Sequence, residues 1–316
     1  MTDDYQQMRQ QLQEHYEKQE FEKALEIAKE ICESFPDHYV AAYFNLAYMQ
    51  AALGQIEETI ATLEEAYEKG AWWAADYLDE FPNSDSLKRS SGFQAIQEKI
   101  QQRFEEARQA AKLEWVVREP PNYKPSEPLP LLIALHWGDS NMEEFEPYWK
   151  EAVLKAGILL ALPQSSQIAG PNSYTWMNLD LGLKELEQAY SEIKEKYAID
   201  SAKVLLAGAS IGGTLALEAT FRHSKFPVKG VIAVIPYNIQ PAELAANIAQ
   251  MFERKVRCCV VTGSKDPSIE ACKDLVSLMK KHGIEHLFYE SVGTGHIIPA
   301  DFEQRLDEIL PFLLKD

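Results

Sequence analysis

Residues 203–219 constrain this chain more than any other stretch. An apolar run of strand length, 204–207, leads into Gly208-Ala209-Ser210-Ile211-Gly212, and residues 214–219 favour helix. The pattern is G-x-S-x-G between a strand and a helix, a setting in which the serine sits on a sharp turn with its hydroxyl lifted clear of the sheet. Gly208 and Gly212 carry no side chain, so strand and helix can approach closely around the strained residue. The N–H of Ile211, opening the helix, points at any anion forming beside Ser210. Five residues of this kind also occur by chance in plain glycine-rich turns. The weight therefore rests on the strand–turn–helix setting and on what lies downstream.

A serine hydroxyl is a poor nucleophile at neutral pH and needs a base, itself oriented by an acid. The chain supplies both, in the order Ser, Asp, His. Residues 257–263 read as a strand, and Ser264-Lys265-Asp266-Pro267 follows it. Residues 285–290 read as the next strand, followed by a loop that ends in Gly295-His296. Asp266 and His296 thus fall beyond the carboxyl ends of successive strands, the edge of an open parallel sheet where ligands bind.

On these residues, roughly 112–316 resemble the α/β-hydrolase superfamily. Within it the likeness is nearest to the phospholipase/carboxylesterase group that includes acyl-protein thioesterases. Gly208-Ala209-Ser210-Ile211-Gly212, Asp266-Pro267 and Gly295-His296 carry the resemblance. Leu135-His136-Trp137-Gly138-Asp139 and Pro163-Gln164 with Trp176 downstream add to it. The resemblance implies a doubly wound, mostly parallel sheet. It also implies a serine hydrolase that cleaves a carboxylic ester or thioester through an acyl-enzyme, without a cofactor or metal. Ser210 is then the nucleophile, His296 the base and Asp266 the orienting acid. In such relatives the loop after the first long strand reads His-Gly-x and gives the second oxyanion donor. Here Trp137 stands where glycine is usual, or one residue of the motif is missing, so the donor beside Ile211 is the N–H of Trp137 or of Gly138. The Trp137 side chain also reads as a pocket wall. His136 is a structural hydrogen-bonding residue at the pocket edge, and Trp176 either lines an acyl or alcohol pocket or anchors its loop.

The first third of the chain is of another kind. Residues 1–111 hold 22 acidic and 10 basic side chains and residues 112–316 hold 27 and 21, so most of the net charge of −18 lies in the smaller part. That part has long stretches at helical period, and the spacing predicts helices near 3–17, 20–34, 38–53, 55–69, 71–80 and 92–111. The breakers between them are Pro36-Asp37, Gly54, Gly70 and Pro82-Asn83-Ser84-Asp85. Residues 21–31 align with residues 56–66 at an offset of 35. This is close to the period of tetratricopeptide repeats, which the segment resembles. The chain therefore divides into a helical-repeat domain, 1–111, and an α/β domain, 112–316. The aromatics Tyr43, Phe44, Tyr48, Trp72, Trp73 and Tyr77 read as packing between helices, or as the lining of a groove for a protein or peptide partner.

In the second domain, apolar strand-like runs at 113–118, 131–135, 157–162, 204–207, 230–235, 257–263 and 285–290 are interleaved with helical patterns. Those patterns lie near 142–156, 182–197, 241–252, 268–282 and 301–314. Such alternation means a parallel sheet covered on both faces. The acidic balance argues against a nucleic-acid partner and against docking on anionic lipid. No stretch reads as a membrane span or a secretory signal. The four cysteines, Cys32, Cys258, Cys259 and Cys272, suit reduced thiols, and together these features point to a cytoplasmic protein. His282 and His286 do not make a metal site by themselves. Two other readings stay open: a scaffold that recruits a partner through its helices, and a serine peptidase, since the same triad cleaves amides.

Overall fold

The computed structural model describes residues 2–121, 123–222 and 227–315. The chain forms two compact units, one of Met1–Ala111 with Ile168–Asn172, the other of Lys112–Gln167 with Ser173–Asp316. The five residues 168–172 were expected in the α/β domain and belong instead to the helical unit. The Ala74 N–H donates to the Ala169 carbonyl at 3.0 Å, and Ile168 packs on the helical core.

The helical unit contains α1 (Thr2–Glu17), α2 (Phe21–Ser34), α3 (Tyr39–Ala52), α4 (Ile56–Glu68), α5 (Ala75–Asp79), α6 (Ser84–Arg89) and α7 (Ser91–Ala110). On α2, Ala24, Ala28 and Ile31 are buried, a spacing that keeps them on one face. On α4 the buried Thr59, Leu63 and Ala66 stand at the equivalent positions of the 35-residue repeat. Thr59 is tolerated there because its Oγ1 donates to the Gln55 carbonyl at 2.7 Å, so the buried hydroxyl is satisfied.

Three helix ends in this unit share one device. After α3, Gly54 (φ 72°) donates to the Ala51 carbonyl and Gln55 to the Gln50 carbonyl; after α4, Gly70 (φ 99°) and Ala71 donate to Tyr67 and Ala66. This pair of bonds requires a left-handed residue, usually glycine. α1 ends on the same two bonds, from Gln19 to Tyr16 and from Glu20 to His15, with Gln19 itself at φ 59°.

Two local expectations need correction. The helix expected over 71–80 starts only at Ala75, because Ala71, Trp72, Trp73 and Ala74 are buried in non-helical backbone, held partly by the bond to Ala169. The turn expected at 82–85 is confined to Pro82 and Asn83, and α6 starts at Ser84. Asn83 takes φ 56° before it, and its side-chain amide donates to the Ala51 carbonyl at 2.8 Å.

Among the described residues the main sheet of the α/β unit has seven strands. They are β1 (Glu114–Arg118), β2 (Leu129–Leu135), β3 (Leu159–Gln164), β4 (Ile199–Ala209), β5 (Gly230–Val234), β6 (Arg257–Gly263) and β7 (His286–Ser291). Their spatial order is β1-β3-β2-β4-β5-β6-β7. β1 is antiparallel to β3 at one edge and every other pairing is parallel. The β2–β4 register slips between Leu129 and Leu131, at Pro130, which has no N–H to give the ladder.

The covering helices are α8 (Met142–Phe145), α9 (Lys150–Lys155), α10 (Leu179–Lys196), α11 (Ile211–Phe221), α12 (Pro241–Leu244), α13 (Ile248–Glu253), α14 (Ile269–Lys281) and α15 (Phe302–Leu314). α10 to α14 bury their apolar residues on one face of the sheet; α8, α9 and α15 bury theirs on the other. Strand residues alternate between the two cores, Leu131 and Ile133 against Leu132 and Ala134. The single helix expected over 142–156 is broken by a 3-10 turn at Glu146–Tyr148, where Pro147 cannot donate. The one expected over 241–252 passes through a similar turn at Ala245–Asn247. Alternation also places the adjacent Cys258 and Cys259 on opposite faces. Both thiols are free, and burial pushes Cys258 up to about 12 and Cys259 well above its usual range.

The end of α1 yields a test. A side chain in the left-handed region is strained by about 1 kcal/mol relative to glycine, so Gln19→Gly should raise the thermal midpoint of the helical unit. Circular dichroism melts of the two proteins read the difference.

Candidate functional site

Ser210 lies between β4 and α11 at φ 51°, ψ −123°, a sparsely populated conformation that persists only where its surroundings impose it. They do so here. A Cβ on Gly208 would overlap the backbone of Gly212, and one on Gly212 would overlap the carbonyls of Leu135 and His136. The Ser210 N–H donates to the Val234 carbonyl at 2.9 Å, and its own carbonyl accepts from Thr214 at 3.0 Å.

The structure brings Ser210, His296 and Asp266 together across 86 and 30 positions of chain. Ser210 Oγ lies 2.8 Å from His296 Nε2, and His296 Nδ1 lies 2.8 Å from Asp266 Oδ2. A carboxylate accepts, so Nδ1 carries the ring proton and Nε2 presents its lone pair to the serine O–H. Asp266 is 1 % exposed, and its other oxygen accepts the Ser268 N–H at 2.7 Å. The two loops are tied together. Lys265 donates to the Thr294 carbonyl at 2.9 Å, Gly293 donates to Ser264 Oγ at 2.8 Å, and a Cβ on Gly263 would overlap the carbonyls of Thr294 and Gly295.

Ile211 opens α11 and is nearly buried; the first N–H groups of a helix have no partner within it. Gly138 sits against it, since a Cβ built on Gly138 would lie 3.5 Å from Ile211 Cγ2 and 3.5 Å from Thr175 Oγ1. The Trp137 ring packs edge-on against Phe145 and Tyr148. Its loop is anchored twice: Asn141 caps α8 by accepting from Glu143 and Glu144, and Ser140 and Tyr174 exchange backbone bonds of 3.3 and 2.8 Å.

Two expected pocket residues do not line a pocket. His136 and Trp176 are both 0 % exposed and rest against one another, ring centroids 5.1 Å apart. Gly182 on α10 passes close to Trp176: a Cβ there would lie 2.8 Å from Leu215 Cδ2 and 3.4 Å from the indole. His136 Nδ1 lies 2.7 Å from the Trp137 carbonyl and donates to it. That bond fixes the plane of the Trp137–Gly138 peptide, so His136 acts on the loop rather than on a ligand.

Sequence reading passes over two features. Glu185 on α10 is 5 % exposed and accepts from Ser165 Oγ at 2.8 Å, from the Ser166 N–H at 3.0 Å and from Ser166 Oγ, pinning the loop after β3. Tyr237, just past β5, is 45 % exposed with its ring centroid 6.2 Å from that of His296. Its signal in the sequence is position alone, an aromatic at the carboxyl end of a strand. Among the described residues no group of three or more His, Cys, Asp or Glu is gathered to hold a metal ion. A separate cleft of about 340 Å³, bordered by Pro120, Tyr123, Leu129, Leu154 and Gly157, opens near the amino ends of β2 and β3, away from this site.

Residues 4–108 match the family model described as the A/B hydrolase-like, N-terminal domain. A crystal structure of an uncharacterized protein from Bacillus cereus is 26 % identical, with 98 % of each chain covered and a TM-score of 0.56. The esterase PE8 structure is 20 % identical over 64 % of this chain and 98 % of its own, TM-score 0.50. Dipeptidyl peptidase 4 from Porphyromonas gingivalis is 17 % identical over 65 % of this chain and 33 % of its own, TM-score 0.50. No curated protein matches. The α/β unit has the α/β-hydrolase fold. No described helix is long and apolar enough to cross a membrane.

Burial lowers His136 to about 4, against the opposing effect of the Trp137 carbonyl. An unfolded histidine takes up its proton near pH 6.5. Between those values the unfolded chain binds the extra proton, so stability falls as pH drops through 6.5 and stops falling below about 4. The loss amounts to up to about 3 kcal/mol. His136→Gln should therefore narrow the gap between urea midpoints measured at pH 7.5 and pH 5 relative to the parent protein.

Proposed function

We propose that this protein is a serine hydrolase acting on a carboxylic ester or thioester. The observation that carries the reading is the Ser210–His296–Asp266 array, with both of its contacts at 2.8 Å, on a serine held at φ 51°. Ser210 Oγ attacks the carbonyl carbon while His296 Nε2 takes its proton. Asp266 holds the Nδ1–H tautomer and stabilises the imidazolium that forms. The carbonyl oxygen becomes an oxyanion and accepts from the Ile211 N–H. The second donor in this reading is Gly138: the Trp137 carbonyl turns toward His136, and in a trans peptide the following N–H points the opposite way. Each such donor contributes about 10²–10³ in rate. His296 then protonates the leaving oxygen or sulfur, and water activated by the same base releases the acid from the acyl-enzyme.

An ester is favoured over a peptide bond on extent. The match spans nearly the whole of the esterase PE8 chain and only a third of the dipeptidyl peptidase 4 chain, over similar shares of this one. The peptidase's remaining part has no counterpart in that alignment.

The helical unit is read as tetratricopeptide-like, with α1–α2 and α3–α4 as its pairs. This rests on the 35-residue offset and on the matching burial of Ala24 with Thr59, Ala28 with Leu63 and Ile31 with Ala66. Such a surface suits a protein or peptide partner.

Fluorophosphonate labelling with peptide mapping should place the adduct on Ser210, and p-nitrophenyl esters of increasing acyl length should be turned over. Ser210→Ala should abolish labelling and lower kcat about 10⁴-fold or more with an unchanged circular dichroism spectrum. Asp266→Asn should retain the fold and lower kcat by about 10⁴. A folded parent protein that takes no label would leave partner binding by the helices as the working reading.

A further inference from the structure

The loop after β5 is built around one side chain. Val234, the last residue of β5, accepts the Ser210 N–H. The next residue, Ile235, stands at φ 41° with its N–H held on the Val261 carbonyl at 2.6 Å. A β-branched residue in the left-handed region is a conformational outlier, and outliers of this sort gather at ligand clamps and active sites. Asn238 is left-handed as well, at φ 51°. Between these two bends Tyr237 is fixed to the elbow at both ends of its backbone. Its N–H donates to the Ser210 carbonyl at 3.2 Å, and its carbonyl accepts from Thr214 Oγ1 at 2.5 Å.

The backbone is thus rigid while the ring stays open. Tyr237 stands edge-to-face against the His296 imidazole, 72° between planes, with nearly half of its surface exposed. An exposed aromatic on a loop needs no explanation by itself. One whose backbone is clamped to the nucleophile's elbow and whose ring stands edge-on beside the base, centroids 6.2 Å apart, does.

The space beside the base has a defined occupant in the reaction proposed above, on which this inference rests. When the bond between Ser210 Oγ and the acyl carbon forms, the bond from that carbon to the leaving oxygen or sulfur breaks. The proton taken from Ser210 by His296 Nε2 passes to the leaving atom. The leaving group must therefore sit beside the imidazole, whereas the acyl chain extends away from it. We propose that Tyr237 is the wall of the leaving-group subsite and that its ring selects esters whose alcohol or thiol is aromatic.

Offset or edge-to-face contact between two rings adds to the burial of their area, and together these correspond to a preference of about tenfold. The experiment compares kcat/KM for phenyl butyrate and ethyl butyrate, so that the acyl group is constant and intrinsic reactivity cancels between proteins. Tyr237→Ala should lower the phenyl-to-ethyl ratio about tenfold, whereas Tyr237→Phe should keep it, since the ring and not the hydroxyl makes the contact. The relative profile across acyl lengths, at constant alcohol, should keep its shape in Tyr237→Ala. Phe252→Ser, which alters an exposed aromatic on α13, serves as the surface control. An unmoved ratio in Tyr237→Ala with Ser210 still labelled by fluorophosphonate overturns the subsite and leaves the hydrolase reading intact. So does a changed acyl-length profile with an unmoved alcohol ratio. Absence of both label and ester turnover in the parent protein overturns the two together.

Discussion

At the elbow, β2, β4 and α11 meet where there is room for backbone alone. Gly208 faces Gly212, and Gly212 faces the last carbonyl of β2 and the one after it. A methyl group at either position would have to displace main chain, which packed interiors resist. This approach forces the reversal at Ser210, starts α11 beside it, and lays the exit of β2 alongside. A second approach of the same kind, Gly263 against the carbonyls of Thr294 and Gly295, joins the loops that hold Asp266 and His296. The relation of the three side chains is therefore set by strand spacing and by these two contacts. The strain at Ser210, of order 1–3 kcal/mol, is offset by the two cores that fix the strands.

Burial divides the residues around Ser210 into enclosed and open groups. Asp266 and His136 are out of solvent, while His296 and Tyr237 remain partly open. Each buried group makes a bond that decides the orientation of something else. Asp266 selects the imidazole tautomer; His136 selects the plane of a peptide. Glu185 does comparable work one loop away, where its carboxylate gathers the two serines after β3.

Much of this was legible in the sequence because it depends on local pattern. The G-x-S-x-G turn, the apolar strands and the order of Ser210, Asp266 and His296 can be read without coordinates, and the structure places the three side chains in one array. The role of Trp176 was not legible: an indole after a strand end reads equally as pocket lining or anchor, and only the passage of Gly182 and the contact with His136 decide for the anchor. Helix α6 and the non-helical 71–74 were missed for a related reason. Asn83 and Ala74 are held by carbonyls far along the chain, Ala51 and Ala169, which no window of sequence contains. Tyr237 lacked a motif altogether, and its interest comes from φ values and from a neighbour 59 positions away.

The five residues 168–172 also bear on how such a chain can arise. A helical unit that was merely prefixed to a hydrolase would be separable at a single junction, near Ala111. Here the chain returns to that unit after β3 and contributes the carbonyl on which Ala74 is anchored. The two units are thus interleaved in sequence, and one recombination breakpoint cannot transfer either of them whole. Descent with loss or gain of the helical unit would require a matched change in the β3–α10 connection.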